Sequence, residues 1–292
     1  MTFRIIVLAK QVPDTRNIGK DAMKADGTVN RAALPAIFNP EDLNALEQAL
    51  RIKELKNDNT EIILLTMGPV RASEIIREAL YRGVDRGILL TDRKFAGSDT
   101  LATSYALSLA IKKLAPYNII ICGRQAIDGD TAQVGPQIAE KLSIPQVTYA
   151  EDIISFNENN VTVKRRLDHG IEIVNAPLPS LITIHGSAPP CRSRNAKLVM
   201  KFKNAKTISE LQNETKDYTE IHTARPYLRI EEWNADDNID ADPTLLGLSG
   251  SPTKVKKIEN VILQQKESIR LSPSDEDINK LMKELIDSHI IG

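Results

Sequence analysis

The residues best suited to chemistry lie in the segment Cys-Gly-Arg-Gln-Ala-Ile-Asp-Gly-Asp-Thr-Ala-Gln-Val-Gly-Pro, residues 122–136. This segment follows the apolar run Ile119–Ile121 and leads into a stretch with helical spacing, residues 137–142. A buried strand that turns into a helix through glycine leaves backbone N–H groups unpaired, and such groups bind phosphate or ribose oxygens. The segment therefore predicts a nucleotide site, with a plain strand-to-helix turn as the alternative.

The glycine spacing excludes the two most familiar phosphate-binding loops. Gly123, Gly129 and Gly135 do not form G-x-G-x-x-G, and the sequence contains no G-x-x-x-x-G-K-[ST]. It also contains no G-x-S-x-G nucleophile motif and no histidine pair four residues apart. We therefore expect the chain to hold a cofactor without supplying a catalytic side chain of its own.

Two aspartates in this segment argue against a simple phosphate cradle. Asp128 and Asp130 repel a diphosphate unless their carboxylates accept backbone N–H groups or ribose hydroxyls. We therefore expect the phosphate contacts to come from the backbone and from Gln133, with both aspartates turned aside.

The composition limits the class of protein. A chain of 292 residues with 41% hydrophobic and 26% charged residues predicts one large α/β domain plus an appendage. A net charge of −1 gives no footprint for nucleic acid, and no apolar run approaches the roughly 20 residues of a membrane span. The distant Cys122 and Cys191 give neither a metal motif nor a disulfide framework, and no secretory signal is evident. We expect a cytoplasmic protein without a metal ion.

Four short apolar runs predict the strands of a parallel sheet. They are Arg4–Ala9, Glu61–Thr66, Arg86–Thr91 and Asn118–Cys122, each closed by turn residues and separated from the next by a helical pattern. Ligands of open parallel sheets bind beyond the carboxyl ends of the strands. Four separate segments of the chain therefore converge on one crevice.

The first helix begins at Asn39-Pro40-Glu41-Asp42. Asn39 suits the N-cap, Pro40 suits the first helical position, and the Asp42 carboxylate can reach back to the cap. Helix capping alone therefore accounts for these polar residues.

The pattern changes beyond Tyr149. Ile153–Phe156 and Val161–Arg165 predict two strands joined by an asparagine-rich hairpin turn. From about Ala224 the composition becomes polar and predicts an extended arm, and Asp275–Ile286 has the spacing of an amphipathic helix.

At this point several long motifs, in order along almost the whole chain, carry a resemblance to a known family. The chain resembles the β (small) subunit of electron-transfer flavoprotein. The matching stretches are Lys10–Asp14, Asn39-Pro40, Met67–Pro69, Ala79–Gly87, Gly123–Val134, Val161–Gly170, Leu178–Thr183 and Trp233–Thr253.

The resemblance implies a fold, a partner and a site. It implies a three-layer, Rossmann-like, adenine-nucleotide-binding α/β domain of parallel strands over residues 1–223, with a β-hairpin addition. Residues 224–292 form a C-terminal arm and terminal helix that wrap the α subunit of a heterodimer. The implied cofactor-binding residues are Ala9, Lys10, Asn39, Pro40, Glu41, Asp42, Met67, Asp99, Thr100, Thr103, Gly123, Arg124, Gln125, Ala126, Ile127, Asp128, Gly129, Asp130, Thr131, Ala132, Gln133 and Val134.

The resemblance leaves two nucleotides open, and the choice decides the function. Relatives with AMP in the site shuttle single electrons from dehydrogenases, whereas relatives with FAD there bifurcate the electrons of NADH. Gly129, residues 131–136 and residues 96–105 resemble the bifurcating form, which we favour. It implies FAD as cofactor, NADH as substrate, and transfer to ferredoxin or flavodoxin and, through the α-subunit FAD, to a dehydrogenase.

Residues 191–201 resemble the family's recognition loop for a flavin-dependent dehydrogenase. Arg192, Arg194, Ala196 and Leu198 are the expected docking residues, and the dehydrogenase is of the acyl-CoA, enoyl-CoA or lactate type. The competing class is a non-redox module that senses an adenine nucleotide. Such a module accounts for the crevice but leaves the arm unexplained.

Overall fold

The computed structural model describes residues 2–14, 35–56, 59–212, 214, 216–253 and 270–288. The strands are β1 (Phe3–Leu8), β2 (Gln11–Pro13), β3 (Ala36–Phe38), β4 (Thr60–Met67), β5 (Arg86–Leu90), β6 (Ile119–Gly123), β7 (Gln146–Phe156), β8 (Asn160–Leu167), β9 (Gly170–Pro177), β10 (Ser180–Ile184) and β11 (Glu231–Trp233). The helices are α1 (Pro40–Lys56), α2 (Ser73–Leu80), α3 (Thr100–Lys113), α4 (Val134–Leu142), α5 (Ala196–Phe202), α6 (Ile208–Leu211), α7 (Lys216–Ala224) and α8 (Asp275–Asp287).

Nine strands form one sheet in the order β11-β5-β4-β1-β6-β10-β7-β8-β9. The strands from β11 to β7 run parallel, and β8 and β9 complete an antiparallel meander. The predicted fold class, an α/β domain with a mostly parallel sheet and a hairpin addition, is confirmed. The short strands β2 and β3 pair separately, antiparallel, next to the end of β1.

The central strands are apolar throughout because both faces of the sheet are covered. On β1, Ile5 and Val7 point into the cluster beneath α1 and α2, whereas Ile6 and Leu8 point into the cluster beneath α3 and α4. This alternation is the period of two that a strand imposes on its side chains. Residues of both clusters are almost fully excluded from solvent, so the sheet is a rigid platform for the residues at its edge.

The chain order creates a crevice between β1 and β6. From β1 the chain adds β4 and then β5 on one side, and α3 carries it back across the sheet to β6 on the other side. At such a switch point the connections leave in opposite directions, so that space opens beyond the carboxyl ends of the strands.

The start of α1 differs from the sequence-based expectation. The Asn39 N–H donates to the Lys10 carbonyl, so the Asp42 carboxylate does not reach back to it. Asp42 instead accepts the N–H groups of Lys10 and Gly123. Asn39 before the helix and Pro40 as its first residue agree with the prediction. The predicted contact of the Asp42 carboxylate with the Asn39 N–H is wrong, because both groups bind residues distant in sequence.

Part of the polar C-terminal stretch joins the main sheet. β11 pairs with β5, and Trp233, Ile239 and Leu246 are buried in the cluster beneath α3 and α4. The terminal helix is confirmed as α8, none of whose side chains is buried. Residues 254–269 of the predicted arm lie outside the described residues.

Candidate functional site

A cavity of about 750 Å³ lies at the carboxyl ends of β1, β4, β5 and β6. It contains most of the cofactor residues expected from the sequence. The expected residues that line it are Ala9, Lys10, Asp42, Met67, Asp99, Thr100, Thr103, Gly123, Arg124, Gln125, Ala126, Gly129, Asp130, Thr131, Ala132, Gln133 and Val134.

The remaining expected residues, Asn39, Pro40, Glu41, Ile127 and Asp128, lie behind this lining. Asn39 is fully buried, and its side-chain amide bridges to the loop after β6. Its Nδ2 donates to the Gln125 carbonyl at 2.9 Å, and its Oδ1 accepts the Ile127 N–H at 3.2 Å. Asn39 therefore positions the loop from α1.

Asp42 joins three elements beneath the cavity. Its carboxylate accepts the Lys10 N–H at 2.8 Å and the Gly123 N–H at 2.9 Å, which ties α1 to the ends of β1 and β6. Burial raises the pKa of Asp42 to about 7, although the two N–H donors act in the opposite direction. A side chain at this position therefore controls the spacing of the two strands that bound the crevice.

Glu41 and Arg124 form a second link between α1 and the loop. Arg124 Nη2 lies 3.1 Å from Glu41 Oε1, and the Gln125 N–H donates to Glu41 Oε2 at 2.9 Å. The Arg124 guanidinium also lies 5.6 Å from the centre of the Tyr149 ring. Tyr149 has a left-handed backbone with φ of 60°, at an irregularity in the pairing of β7 with β10.

The two aspartates of the loop are both engaged by protein groups. Asp128 accepts two hydrogen bonds from Lys10 Nζ, at 2.7 and 2.9 Å. Asp130 accepts from Gln125 Nε2 at 2.8 Å. Asp128 therefore points away from the cavity as expected, whereas Asp130 remains part of the lining.

The backbone of the loop is shaped to present N–H groups. Asp130 and Ala132 adopt left-handed conformations with φ of 47° and 52°. Alternation of left- and right-handed residues turns successive N–H groups inward and makes a concavity that binds anions. No side chain caps the adjacent N-terminus of α4, so its first N–H groups remain available to a ligand.

The N-terminus of α3 faces the same cavity but is already capped. Asp99 accepts the N–H groups of Leu101 and Ala102, and its other oxygen accepts the Thr253 N–H. Thr100 Oγ1 donates to Gln133 Oε1 at 2.9 Å and so joins α3 to the end of the loop. This bond holds the Gln133 side chain through its oxygen, so the expected phosphate contact of Gln133 falls to its Nε2 amide and stays a prediction.

Comparison with known proteins agrees with this geometry. The model of the electron transfer flavoprotein domain matches residues 26–211 of the chain. The chain belongs to the electron-transfer flavoprotein family. It is 45% identical over 260 residues to the electron transfer flavoprotein subunit beta of Megasphaera elsdenii, which covers 87% of this chain and 86% of that protein. The resemblance to the β subunit is therefore confirmed.

Two further relatives of this electron-transfer flavoprotein subunit are named as parts of reductase complexes. The acryloyl-CoA reductase electron transfer subunit gamma of Anaerotignum propionicum is 40% identical over 292 residues, with 99% of this chain and 100% of that protein covered. The caffeyl-CoA reductase-Etf complex subunit CarD of Acetobacterium woodii is 50% identical over 180 residues, with 62% of this chain and 67% of that protein covered.

The turn after β5 also lines the cavity of the flavoprotein subunit, as the convergence of the four strand ends predicts, but its residues are absent from the expected cofactor-binding set. Asp92, Arg93, Phe95 and Gly97 contribute to this side. These residues follow a parallel strand directly, as Lys10 follows β1, and this position in the sequence indicates a site residue.

The cysteine of the cavity is not a reactive thiol. Burial raises the pKa of the Cys122 thiol well above its usual range, so the thiol stays protonated. Among the described residues, no group of three or more His, Cys, Asp or Glu side chains is placed to hold a metal ion. Nor does any helix in the described ranges have the length and apolar character needed to cross a membrane.

The segment expected to dock a dehydrogenase lies elsewhere, around α5. Arg192 pairs with Glu47 and Glu54, and Arg194 pairs with Glu78. Ala196 begins the helix, and Leu198 packs partly against the core. The two arginines therefore fix this segment to α1 and α2, and Met200, with an exposed fraction of 66%, is its most accessible apolar side chain.

Proposed function

We propose that this chain is the β subunit of an electron-bifurcating electron-transfer flavoprotein, with FAD in the cavity and NADH as its reductant. Bound in the cavity, FAD would supply the redox chemistry, which is acceptance of a hydride from NADH and transfer of single electrons. The acceptors that we propose are the FAD of the α subunit, which would pass its electron to a dehydrogenase, and ferredoxin or flavodoxin. The chain's own residues bind, orient and enclose the reacting groups.

The extent of the cavity is the observation that carries this proposal. The cavity reaches from the loop after β6 to the turn after β5, across three strand spacings or about 14 Å. On the side beyond the loop, Leu65, Met67 and Phe95 give the lining an apolar stretch, and the charged Asp92 and Arg93 lie at its end in the turn after β5. AMP at the loop leaves this side empty, whereas the dinucleotide FAD has a flat aromatic ring that suits it.

The polar half of the cavity suits a diphosphate. The left-handed Ala132, followed by the right-handed Gln133, turns backbone N–H groups inward, and the uncapped N-terminus of α4 adds more of them. The N–H groups of Gly129 and Asp130 donate to the Ala126 carbonyl instead. Asp128 lies outside the lining, and Lys10 neutralises its carboxylate. The backbone therefore supplies the attraction that the side chains of this loop do not.

The arm fits the proposed heterodimer. We assign residues 1–223 to the nucleotide-binding domain and residues 224–292 to an arm and terminal helix that wrap the α subunit. On α8, Ile278, Leu281 and Ile286 are exposed at helical spacing, which gives the helix an unburied apolar stripe. Burial of that stripe against the α subunit accounts for its composition.

The dehydrogenase that receives the electron from the α-subunit FAD docks on α5, and its type follows from chemistry and from the relatives. Met200 offers an apolar anchor between Lys197 and Lys201, so the matching surface is apolar with an acidic rim. Two relatives carry acryloyl-CoA and caffeyl-CoA reductase in their names. An enoyl-CoA reductase is therefore the dehydrogenase type that we assign to this chain.

Coupled reduction tests the function. The heterodimer is mixed under anaerobic conditions with NADH, ferredoxin and an enoyl-CoA reductase, with or without the reductase's substrate. We expect ferredoxin to be reduced only while the reductase turns over, because the two electrons of each NADH take separate routes. Ferredoxin reduction that ignores the reductase contradicts bifurcation. A yellow complex that NADH does not reduce indicates the AMP-binding shuttle, and a colourless complex indicates the nucleotide sensor.

A further inference from the structure

We propose that Arg93 anchors the diphosphate of the pyridine nucleotide that donates the hydride. The inference rests on the proposed function and adds to it the residue that recognises the reductant. It is drawn from the distribution of charge in the cavity.

Arg93 differs from the other cations of the lining. Lys10 is paired with Asp128, and Arg124 is paired with Glu41. Arg93 is exposed and makes no ion pair or side-chain hydrogen bond within the described part of the chain. It is therefore the cation of the lining that remains available to an anionic ligand.

The acidic residues of the lining do not neutralise Arg93. Asp42 and Asp99 accept backbone N–H groups, and Asp130 accepts from Gln125. Asp92, the immediate neighbour of Arg93, accepts the N–H groups of Lys94 and Ala235.

The short turn after β5 explains why Arg93 faces the cavity. Residues Arg93–Phe95 form one 3-10 turn, in which successive side chains point about 120° apart. Phe95 is buried in the core, and Lys94 pairs with Asp236 of the C-terminal stretch. The remaining direction is the cavity, where Arg93 contributes to the lining.

The turn that carries Arg93 lies far from the phosphates expected at the loop. The turn follows β5 and the loop follows β6, three strand spacings or about 14 Å apart. An arginine side chain, with bonds of about 1.5 Å, extends roughly 6 Å from its Cα. A diphosphate held by the loop is therefore beyond its reach, so a phosphate that binds Arg93 belongs to a second molecule.

The chemistry of that anion follows from the guanidinium. Its planar fork of N–H donors matches two oxygens of a phosphate, and it keeps its charge at any physiological pH. The proposed reaction brings one other phosphate-bearing molecule to this cavity, the pyridine nucleotide.

The test compares three variants of the heterodimer, Arg93→Gln, Arg93→Lys and Lys112→Gln. Lys112 is an exposed cation on α3 outside the cavity, so its variant removes the same charge from another surface. Each variant is checked for thermal unfolding and for FAD content. The KM for NADH, the kcat of flavin reduction and the dependence of KM on salt are then measured.

We expect Arg93→Gln to raise the KM for NADH about 30-fold, with FAD content unchanged and kcat within about twofold. Its KM should also lose salt sensitivity, because the charge attraction is gone. Arg93→Lys should be intermediate, since ammonium keeps the charge but not the fork. Lys112→Gln should match the wild type.

The outcomes separate this inference from the proposed function. If NADH reduces the wild-type flavin and Arg93→Gln has an unchanged KM, the inference about Arg93 is wrong and the proposed function stands. Loss of FAD from Arg93→Gln also overturns it, because Arg93 then binds the resident cofactor. A wild-type complex that holds AMP and does not oxidise NADH overturns both.

Discussion

Gly123 provides the sharpest mutational test of the site, because the end of β6 leaves no room for a side chain. A Cβ added at Gly123 lies 2.4 Å from Asp42 Oδ1, 2.8 Å from the carbonyl carbon of Glu41 and 2.9 Å from the Asp42 nitrogen. Two of these atoms are backbone of α1, so a rotamer change does not relieve the contact. Gly123→Ala must push the first turn of α1 away from β6.

The cost follows from the contacts that are strained or lost. Overpacking of a well-packed site costs about 1–3 kcal/mol. The hydrogen bond from the Gly123 N–H to Asp42 is stretched as well, and a buried donor left unpaired costs about 1–3 kcal/mol. If about 3 kcal/mol of this cost is felt when the cofactor binds, the affinity falls roughly 100-fold.

Gly129→Ala is the matched control on the same loop. A Cβ at Gly129 meets no atom within 4 Å. The assay is the nucleotide retained per heterodimer after gel filtration, followed by the Kd for FAD added back, read from flavin fluorescence. We expect Gly123→Ala to lose the nucleotide of the β subunit and Gly129→Ala to keep it.

One result refutes the reasoning on Gly123. If Gly123→Ala retains wild-type nucleotide and wild-type thermal stability, the close packing of α1 on β6 does not shape the cofactor site. Equal losses in both variants point instead to a general sensitivity of the loop to an added methyl group.

Three further predictions concern the scaffold and the docking helix. Asn39→Ala leaves the Gln125 carbonyl and the Ile127 N–H unpaired, so we expect about 2 kcal/mol lower stability and a lower melting temperature; an unchanged melting temperature contradicts this role. Burial raises the pKa of Asp42 from 3.8 to about 7. The stability that the protonated Asp42 side chain contributes is therefore complete below pH about 4 and is lost as pH rises through about 7. The melting temperature of the wild type should therefore fall over this interval relative to that of Asp42→Asn, which does not titrate, and a parallel pH profile argues against the raised pKa. Met200→Glu should raise the KM for the partner reductase about 10-fold without changing NADH-dependent flavin reduction, whereas an unchanged KM excludes Met200 from the docking surface.

The sheet was predictable because its signal is local. Runs such as Ile119–Ile121 are apolar at every position, and only a strand buried on both faces requires this. Parallel strands have their carboxyl ends at one edge of the sheet. The sequence alone therefore predicts that Lys10, Met67 and Gly123 lie close together, and all three line the cavity. The Asp99 cap of α3 was equally predictable, since its acceptors and donors lie within one turn.

The misses arise where distant residues compete with local ones. Asn39 and Asp42 have the types and spacing of a helix cap, yet their partners lie as far away as Ile127 and Gly123. β11 is a strand of three residues within a polar stretch. It forms because the edge of β5 pairs with it. The pattern of apolar and polar residues within each segment does not indicate such tertiary contacts.

The nucleotide content of the purified heterodimer tests the central claim most directly. The complex is denatured, and its released nucleotides are separated and quantified against protein concentration. The cavity that extends from β6 to β5 predicts two FAD and no AMP per heterodimer, one of them in the β subunit. One FAD together with one AMP contradicts the claim, because the far side of the cavity then serves some purpose other than holding a flavin.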